Sequence, residues 1–302
     1  MKKDSLLAVG SIALDSVQTP FGSVRETLGG SAAYFSAGAR FFTLVSLVAV
    51  VGADFPDKYF RLLQTLGIDT RGIRVEKGST FRWQGRYDHD LNNARTLKTE
   101  LNVFKNFRPA LSPENKKSAF VFLANIDPEI QHAVLRQVEN PRLTACDTMN
   151  YWIENKKPAL ERLLKEVDIF LCNDSEARQL SGETNLVRAS RRILSHGPGL
   201  LVIKKGEHGV LCFSRHFTFL APAFLLEKVF DPTGAGDAFA GGFLGHLIRS
   251  PRVNEQSVRQ AVIYGSVLAS YNVESFGLKR LAALKRPEIE RRFQLFKNMT
   301  RF

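Results

Sequence analysis

"FDPTGAGDAFAGGF", residues 230–243, runs from a proline turn into a glycine-rich stretch and then into a helix-forming segment. Gly234, Ala235 and Gly236 carry almost no side chain, so their N–H groups can approach a ligand closely. A helix that begins here adds unsatisfied N–H groups and the positive end of its dipole, which together make an anion site. A P-loop reads GxxxxGK[ST], and 230–243 contains no lysine. A dinucleotide fingerprint fits no better, because the run follows a proline turn late in the chain and opens no βαβ unit. Where a phosphate would want only donors stands a carboxylate, Asp237.

Two accounts of Asp237 are available. An acid in the first turn of a helix complements the dipole and needs no chemistry. Alternatively, the site transfers a phosphoryl group rather than storing one. An attacking hydroxyl must then lose its proton, a nearby carboxylate accepts it, and adjacent backbone donors stabilise the charge on the group in transit. Neighbouring positions at one helix start supply both parts within a few ångströms, which favours the second account.

The rest of the chain limits the alternatives. With 302 residues, 44% of them hydrophobic, it can bury one large core with an appendage, or two modest ones. "LVSLVAVVGA" (44–53) is too short to span a bilayer and reads as a buried strand, and the N-terminus lacks the features of a secretory signal. Cys146, Cys172 and Cys212 show no metal or redox spacing, as expected of reduced core thiols in a cytoplasmic protein. The formal charge of +12 is scattered and interleaved with acids, the pattern of solvated helix faces rather than of a nucleic-acid interface.

Apolar strands at 6–12, 44–52, 119–125, 143–149, 168–173, 200–206 and 209–213 alternate with helices at 30–42, 57–66, 129–139, 154–166, 175–181 and 186–195. Helices at 235–249, 254–273 and 287–298 end the chain. Strands apolar along their whole length, separated by helices, predict an α/β fold with a doubly wound, mostly parallel sheet covered on both faces. Two insertions, 15–28 and 74–107, each contain a pair of β-capable arms. In "STFRWQGRY" Phe81, Trp83 and Tyr87 alternate with Arg82, Gln84 and Arg86, the period of a half-buried strand. The insertions together predict one small sheet, whose apolar face must be covered by something. A lid over a ligand and a contact between two copies explain it equally.

The motif and its companions resemble the ribokinase-like (PfkB) carbohydrate kinases along essentially all of 1–302. "VGSIALDSV" is similar to the family's first strand, with Asp15 at its substrate-hydroxyl aspartate, and "LGGSAAYFSAGA" to the glycine pair, Gly29 and Gly30, that lines the sugar pocket. "NDSEA" matches the N-x-x-E element and "VIKKGEHGVLCF" the strand–turn–strand leading to the nucleotide. The resemblance implies a single kinase domain with a β lid, transferring the γ-phosphoryl group of ATP to an alcohol of a sugar or sugar-like molecule. Asp237 would be the general base and Gly234, Ala235 and Gly236 the anion hole. Asn173 and Glu176 would organise Mg2+ through water. Lys204, Gly206 and Gly209 would border the nucleotide. Asp231 and Thr233, closed by Gly277, sit where relatives place part of a monovalent-cation site, with potassium as the candidate ion.

One position departs from the family. Relatives carry an asparagine four residues after the second glycine, and here Tyr34 stands in its place. A phenol is bulkier and offers one hydroxyl, so ribose specificity does not carry over. Tyr34 either stacks on a ring or base of the substrate or packs beneath the small sheet. A nucleoside kinase is the alternative, with Phe81, Trp83 or Tyr34 as the stacking residue, and a non-catalytic sensor on the same fold is another. Asp147, Asn150, Asn125 and Asp127, at predicted strand ends, either line the same cleft or cap turns.

Overall fold

The computed structural model describes residues 5–92 and 94–301. Residues 1–4, 93 and 302 lie outside the described residues, and with them the ends of the expected 1–302 span and one position of the 74–107 insertion. Thirteen strands form among the described residues: β1 (Ser5–Val9), β2 (Ala13–Thr19), β3 (Gly22–Gly29), β4 (Leu44–Gly52), β5 (Ile68–Glu76), β6 (Arg82–Tyr87), β7 (Ala94–Glu100), β8 (Phe120–Leu123), β9 (Leu143–Asp147), β10 (Ile169–Asn173), β11 (Leu200–Lys204), β12 (Val210–Ser214) and β13 (Thr218–Ala221).

Nine of these make the main sheet, in the order β13-β12-β11-β10-β9-β8-β1-β4-β5. Pairing is parallel from β11 to β5, and only the β11–β12 and β12–β13 pairs, at one edge, are antiparallel. β1 is central. The chain first builds outward through β4 and β5, then returns to the other side of β1 and builds through β8 to β11. That reversal opens a crevice at the carboxyl ends of the strands, where open α/β sheets bind ligands. Along β1, Leu6 and Ala8 face one apolar layer and Leu7 and Val9 the other. This double burial is why the strands read as unbroken apolar runs.

The two insertions form a second sheet, β3-β2-β6-β7, as expected. The β6 face carrying Trp83, Gly85 and Tyr87 is the more buried one, with Gln84 and Arg86 exposed opposite. Phe81, just before β6, stacks on Phe104 at 5.3 Å between ring centres and joins the second core layer. Part of the cover for the small sheet's apolar side is therefore the body of the same chain. The sheet is also tied down by Arg82, which pairs with Asp54 and Glu26 at 2.8 Å each.

Several boundaries differ from expectation by a few residues, such as the helix expected at 129–139, which is Pro128–Leu135, and three of the differences are instructive. Ile68–Glu76 is the edge strand of the main sheet, so the insertion begins after Glu76 rather than at 74. Its sequence, IDTRGIRVE, hides the strand because edges exposed to solvent carry charge. The second arm of the later insertion ends at Glu100, and Asn102–Asn106 coils into a 3-10 helix. The helix expected at 154–166 is two, Asn150–Asn155 and Lys157–Leu164, because Pro158 belongs in a first helical turn. Among the described residues no helix is long and apolar enough to cross a membrane.

Candidate active site

Three neighbouring strands deliver side chains to the crevice from their last residues: Asp147 on β9, Asn173 on β10 and Lys204 on β11, with Asn173 and Lys204 in register. The helix Ala235–Leu247 starts above them, after Gly234 in the left-handed region at φ 72°. Its position is fixed by close packing on the helix Ser31–Ala39, where a Cβ on Gly241 would stand 2.2 Å from the Phe35 carbonyl. The glycines after Asp237 thus set where the anion loop sits relative to the Gly29–Gly30 pair at the start of that second helix.

Asp237 lies in the first helical turn, half-buried. Burial raises its pKa to about 6, against the opposing pull of the Lys204 ammonium. Asp15, on β2, is buried and pushed further, to about 7. Loss of hydration dominates that shift, the Gly30 N–H opposes it, and the charges of Asp231 and Asp237 add to it. Gly29 makes room for this carboxylate: a Cβ there would lie 1.8 Å from Asp15 Oδ2.

Tyr34 is 1% exposed and its ring lies under the anion loop, 2.3 Å from where a Cβ on Gly234 would be. It packs beneath the phosphate end and has no free face to offer a base. Its hydroxyl has no hydrogen-bond partner among the described residues. Tyr34→Phe is therefore expected to leave stability unchanged or raise it by about 1 kcal/mol, since it deletes a buried group that nothing in the protein satisfies. Chemical denaturation checks this, and a several-fold rise in acceptor KM in the same variant would mark the hydroxyl as substrate-facing.

Asn173 and Glu176 are close together but largely engaged with each other. Asn173 Oδ1 accepts from the Glu176 N–H and Glu176 Oε2 from the Asn173 N–H, both at 2.7 Å, forming a capping box on the helix Asp174–Ser181. Glu176 is buried, which raises its pKa to about 7, while Lys204 and the Asn173 N–H pull it down. One Glu176 oxygen is left for a cation. No group of three or more His, Cys, Asp or Glu residues is disposed to hold a metal among the described residues. Such a donor set fits Mg2+ carried on phosphate oxygens and water rather than caged by protein.

Asp231, Thr233 and Gly277 also meet. Asp231 Oδ1 accepts from the Thr233 N–H at 2.9 Å and Oδ2 from the Gly277 N–H at 3.0 Å. Asn272 donates to the Thr233 carbonyl at 2.8 Å, leaving its buried Oδ1 unpartnered. The small sheet closes on this knot: Thr233 Oγ1 donates to Tyr87 Oη at 3.3 Å, and Thr19 donates to the Phe230 carbonyl at 2.8 Å. Gly206 and Gly209, by contrast, shape the turn between β11 and β12, with φ 55° and 84°.

The remaining strand-end polar residues divide. Asp127 caps the helix Pro128–Leu135, Asn125 accepts from the Trp152 indole at 3.0 Å, and Asn150 donates to Gln179. Asp147 caps nothing. It is 2% exposed with Oδ1 unpartnered, and burial drives its pKa well up, against the pull of Lys204. The capped-turn reading of Asp147 is thereby corrected.

These shifts have a consequence for stability. Asp15, Glu176 and Asp237 bind protons more tightly folded than unfolded. Their contribution to stability is therefore present at low pH and lost as pH rises through about 6 to 7. The ligand-free protein is expected to have a higher Tm at pH 5.5 than at pH 8, read by calorimetry. A Tm that rises across that interval would contradict the assignment.

Residues 4–283 match the family model described as pfkB family carbohydrate kinase. The chain is also 31% identical over 259 residues to a cytidine kinase of Thermococcus kodakarensis, covering 84% of this chain and 92% of that protein. The chain belongs to the pfkB family of carbohydrate kinases. This kinase is thereby a phosphotransferase with an alcohol group as acceptor. Two of the solved structures that share its fold carry bound nucleotide. One is a Burkholderia thailandensis nucleoside kinase in complex with ADP-inosine, with TM-score 0.80, 21% identity and coverage of 97% of this chain and 96% of that one. The other is an E. coli ribokinase-type protein in complex with ATP and Mg2+, with TM-score 0.81, 18% identity and coverage of 97% and 99%.

Proposed function

We propose that this kinase transfers the γ-phosphoryl group of ATP to a hydroxyl of a nucleoside, with Asp237 as general base. The observation that carries the transfer step is Asp237 in the first turn of the helix that starts at Ala235, where the N–H groups of Gly234 and Gly236 have no acceptor among the described residues while that of Ala235 donates to the Pro232 carbonyl at 3.1 Å. The acceptor oxygen bonds to the γ-phosphorus, the bond from phosphorus to the ADP oxygen breaks, and the acceptor proton passes to Asp237. A pKa near 6 suits this task, because the group is ionised at neutral pH yet still basic. Asp15 holds the acceptor's other hydroxyls, and the small sheet, joined to the loop through Tyr87, acts as the lid. Bound Mg2+ would neutralise β- and γ-phosphate oxygens, and Asn173 and Glu176 are the residues that would hold it through water. The knot of Asp231, Thr233 and Gly277, with the spare oxygen of Asn272, is the place for potassium.

The cytidine kinase relative supports the nucleoside reading. One observation favours a free sugar instead: the rings expected to stack on a base are engaged elsewhere. Phe81 lies on Phe104, Tyr34 lies under Gly234, and Trp83 donates to Thr96 at 3.2 Å. Measuring ADP release with matched nucleosides and free pentoses decides between them. Nucleosides are expected to be used at least tenfold better in kcat/KM, and the reverse order would return the assignment to sugars. The same reading includes a cytoplasmic location and pairing of two copies through the small sheet, the latter tested by sedimentation.

A further inference from the structure

The sequence motif raises a problem of charge. An anion hole of three small residues must hold a phosphoryl group next to Asp237, and 230–243 contains no cation. Folding supplies one from elsewhere. Lys204 ends β11, directly beside Asn173 in the sheet. Its Nζ would lie 3.0 Å from a Cβ built on Gly236, with its Cδ and Cε at 3.6 Å, so the ammonium rests against the backbone of the anion loop. Among the described residues this ammonium makes no hydrogen bond and no ion pair within 4.0 Å. It is half-buried within the field of Asp147, Glu176 and Asp237. With no acceptor in the protein, the ammonium has all three of its N–H groups free to donate to the oxygens of a ligand at the anion loop.

We propose that Lys204 binds the transferred phosphoryl group directly, supplying from a neighbouring strand the cation that a GxxxxGK[ST] loop carries within its own sequence. The inference deepens the phosphoryl-transfer reading above and rests on it. Lys204 keeps its proton throughout. Its ammonium donates to a non-bridging oxygen of the phosphoryl group while the acceptor–phosphorus bond forms and the phosphorus–ADP bond breaks. The interaction strengthens as charge accumulates on those oxygens, so it acts on turnover more than on ground-state binding. Against the loss of hydration, which favours the neutral amine, the three carboxylates keep the lysine charged, and Asp147 belongs to that set.

A weaker role must be separated from this one: Lys204 could act only by keeping Asp237 ionised. The groups around Lys204 are Asp147, Glu176, Asp237 and Cys172, and the cation acting on Asp237 is Lys204. In Lys204→Met the Asp237 pKa moves up, and the acid limb of the pH–rate profile moves with it. If the lysine contacts phosphate, kcat stays about 100- to 1000-fold below wild type even at pH 9, where Asp237 is ionised in both proteins. Recovery to within threefold of wild type at pH 9 overturns the contact. Asp237→Asn, assayed alongside, separates the two proposals. If it loses turnover while Lys204→Met keeps it, only the lysine's role fails. If it keeps turnover, the base assignment fails first. A measurement on the wild-type protein avoids dependence on the variant's folding. Reductive methylation of Lys204, located by peptide mass mapping, is expected to be blocked by a non-hydrolysable ATP analogue with Mg2+ and not by AMP. Equal protection by the two nucleotides overturns the proposal.

Discussion

Asp237→Asn is expected to lower kcat by about 1000-fold while leaving the KM for ATP within a few-fold of wild type. A factor of about 1000 is the middle of the range for general acid–base catalysis, and Asp237 is the carboxylate in the first turn of this helix. Asparagine keeps the size of the side chain and the helix-start position but cannot accept a proton. Asp15, the carboxylate proposed to hold the acceptor's other hydroxyls, is on β2, where the Gly30 N–H favours its charged form. Steady-state kinetics with the best acceptor, beside a direct ATP-binding titration, separates lost chemistry from lost binding. Near-normal turnover in the variant would remove Asp237 from the reaction and leave it as a dipole-complementing helix residue.

Gly29→Ala is expected to have the next largest effect, through the acceptor rather than through ATP. The added methyl would stand 1.8 Å from Asp15 Oδ2 and 2.2 Å from its Cγ, so the carboxylate must leave its place. The Asp15 side chain is buried, and rotating it moves the carboxylate away from the Gly30 N–H that favours its charged form. If Asp15 orients the acceptor, kcat/KM for the acceptor falls by about 100-fold, the scale on which misplacement of a reacting group is felt. ATP affinity is expected to stay near wild type, because the residues proposed to face phosphate, Gly234, Gly236 and Lys204, are untouched. A variant whose ATP affinity collapses while acceptor KM holds would place Asp15 at the wrong end of the site.

How much of this was legible in the sequence depends on whether each signal is local. The anion loop, Asp237 and the Gly29–Gly30 pair are short motifs whose geometry follows from a turn and a helix start, and they read directly. The N-x-x-E element is also local, yet it is ambiguous: the same spacing that suits a cation ligand makes a capping box, and Asn173 and Glu176 form that box. The position of Lys204 over Gly236 is a different kind of fact. It needs β11 in register with β10 and a helix 30 residues later laid across both, and no spacing rule expresses that. Asp147 was named in the sequence as either lining the cleft or capping a turn, and the choice needed the fold, which leaves its Oδ1 unpartnered among the described residues and within the field of Lys204. Tyr34 was visible as a departure from the family, but its burial under Gly234 depends on packing between two helices distant in sequence. β5 was hidden because an edge strand trades apolar residues for Asp69, Arg71 and Arg74.

The loop at 230–243 works, on this account, as a cradle for a phosphoryl group in transit. Asp237 lies on the side of the group being deprotonated, and Lys204 reaches in from the sheet. The most direct measurement is the fate of the γ-phosphorus of ATP, followed by 31P NMR with the purified protein, Mg2+ and the best acceptor of the panel. The expected result is a phosphomonoester of the acceptor, formed in step with ADP and absent when Asp237→Asn replaces the wild type. ATP that binds but yields no ester with any nucleoside or sugar would contradict phosphoryl transfer at this site and favour a sensor.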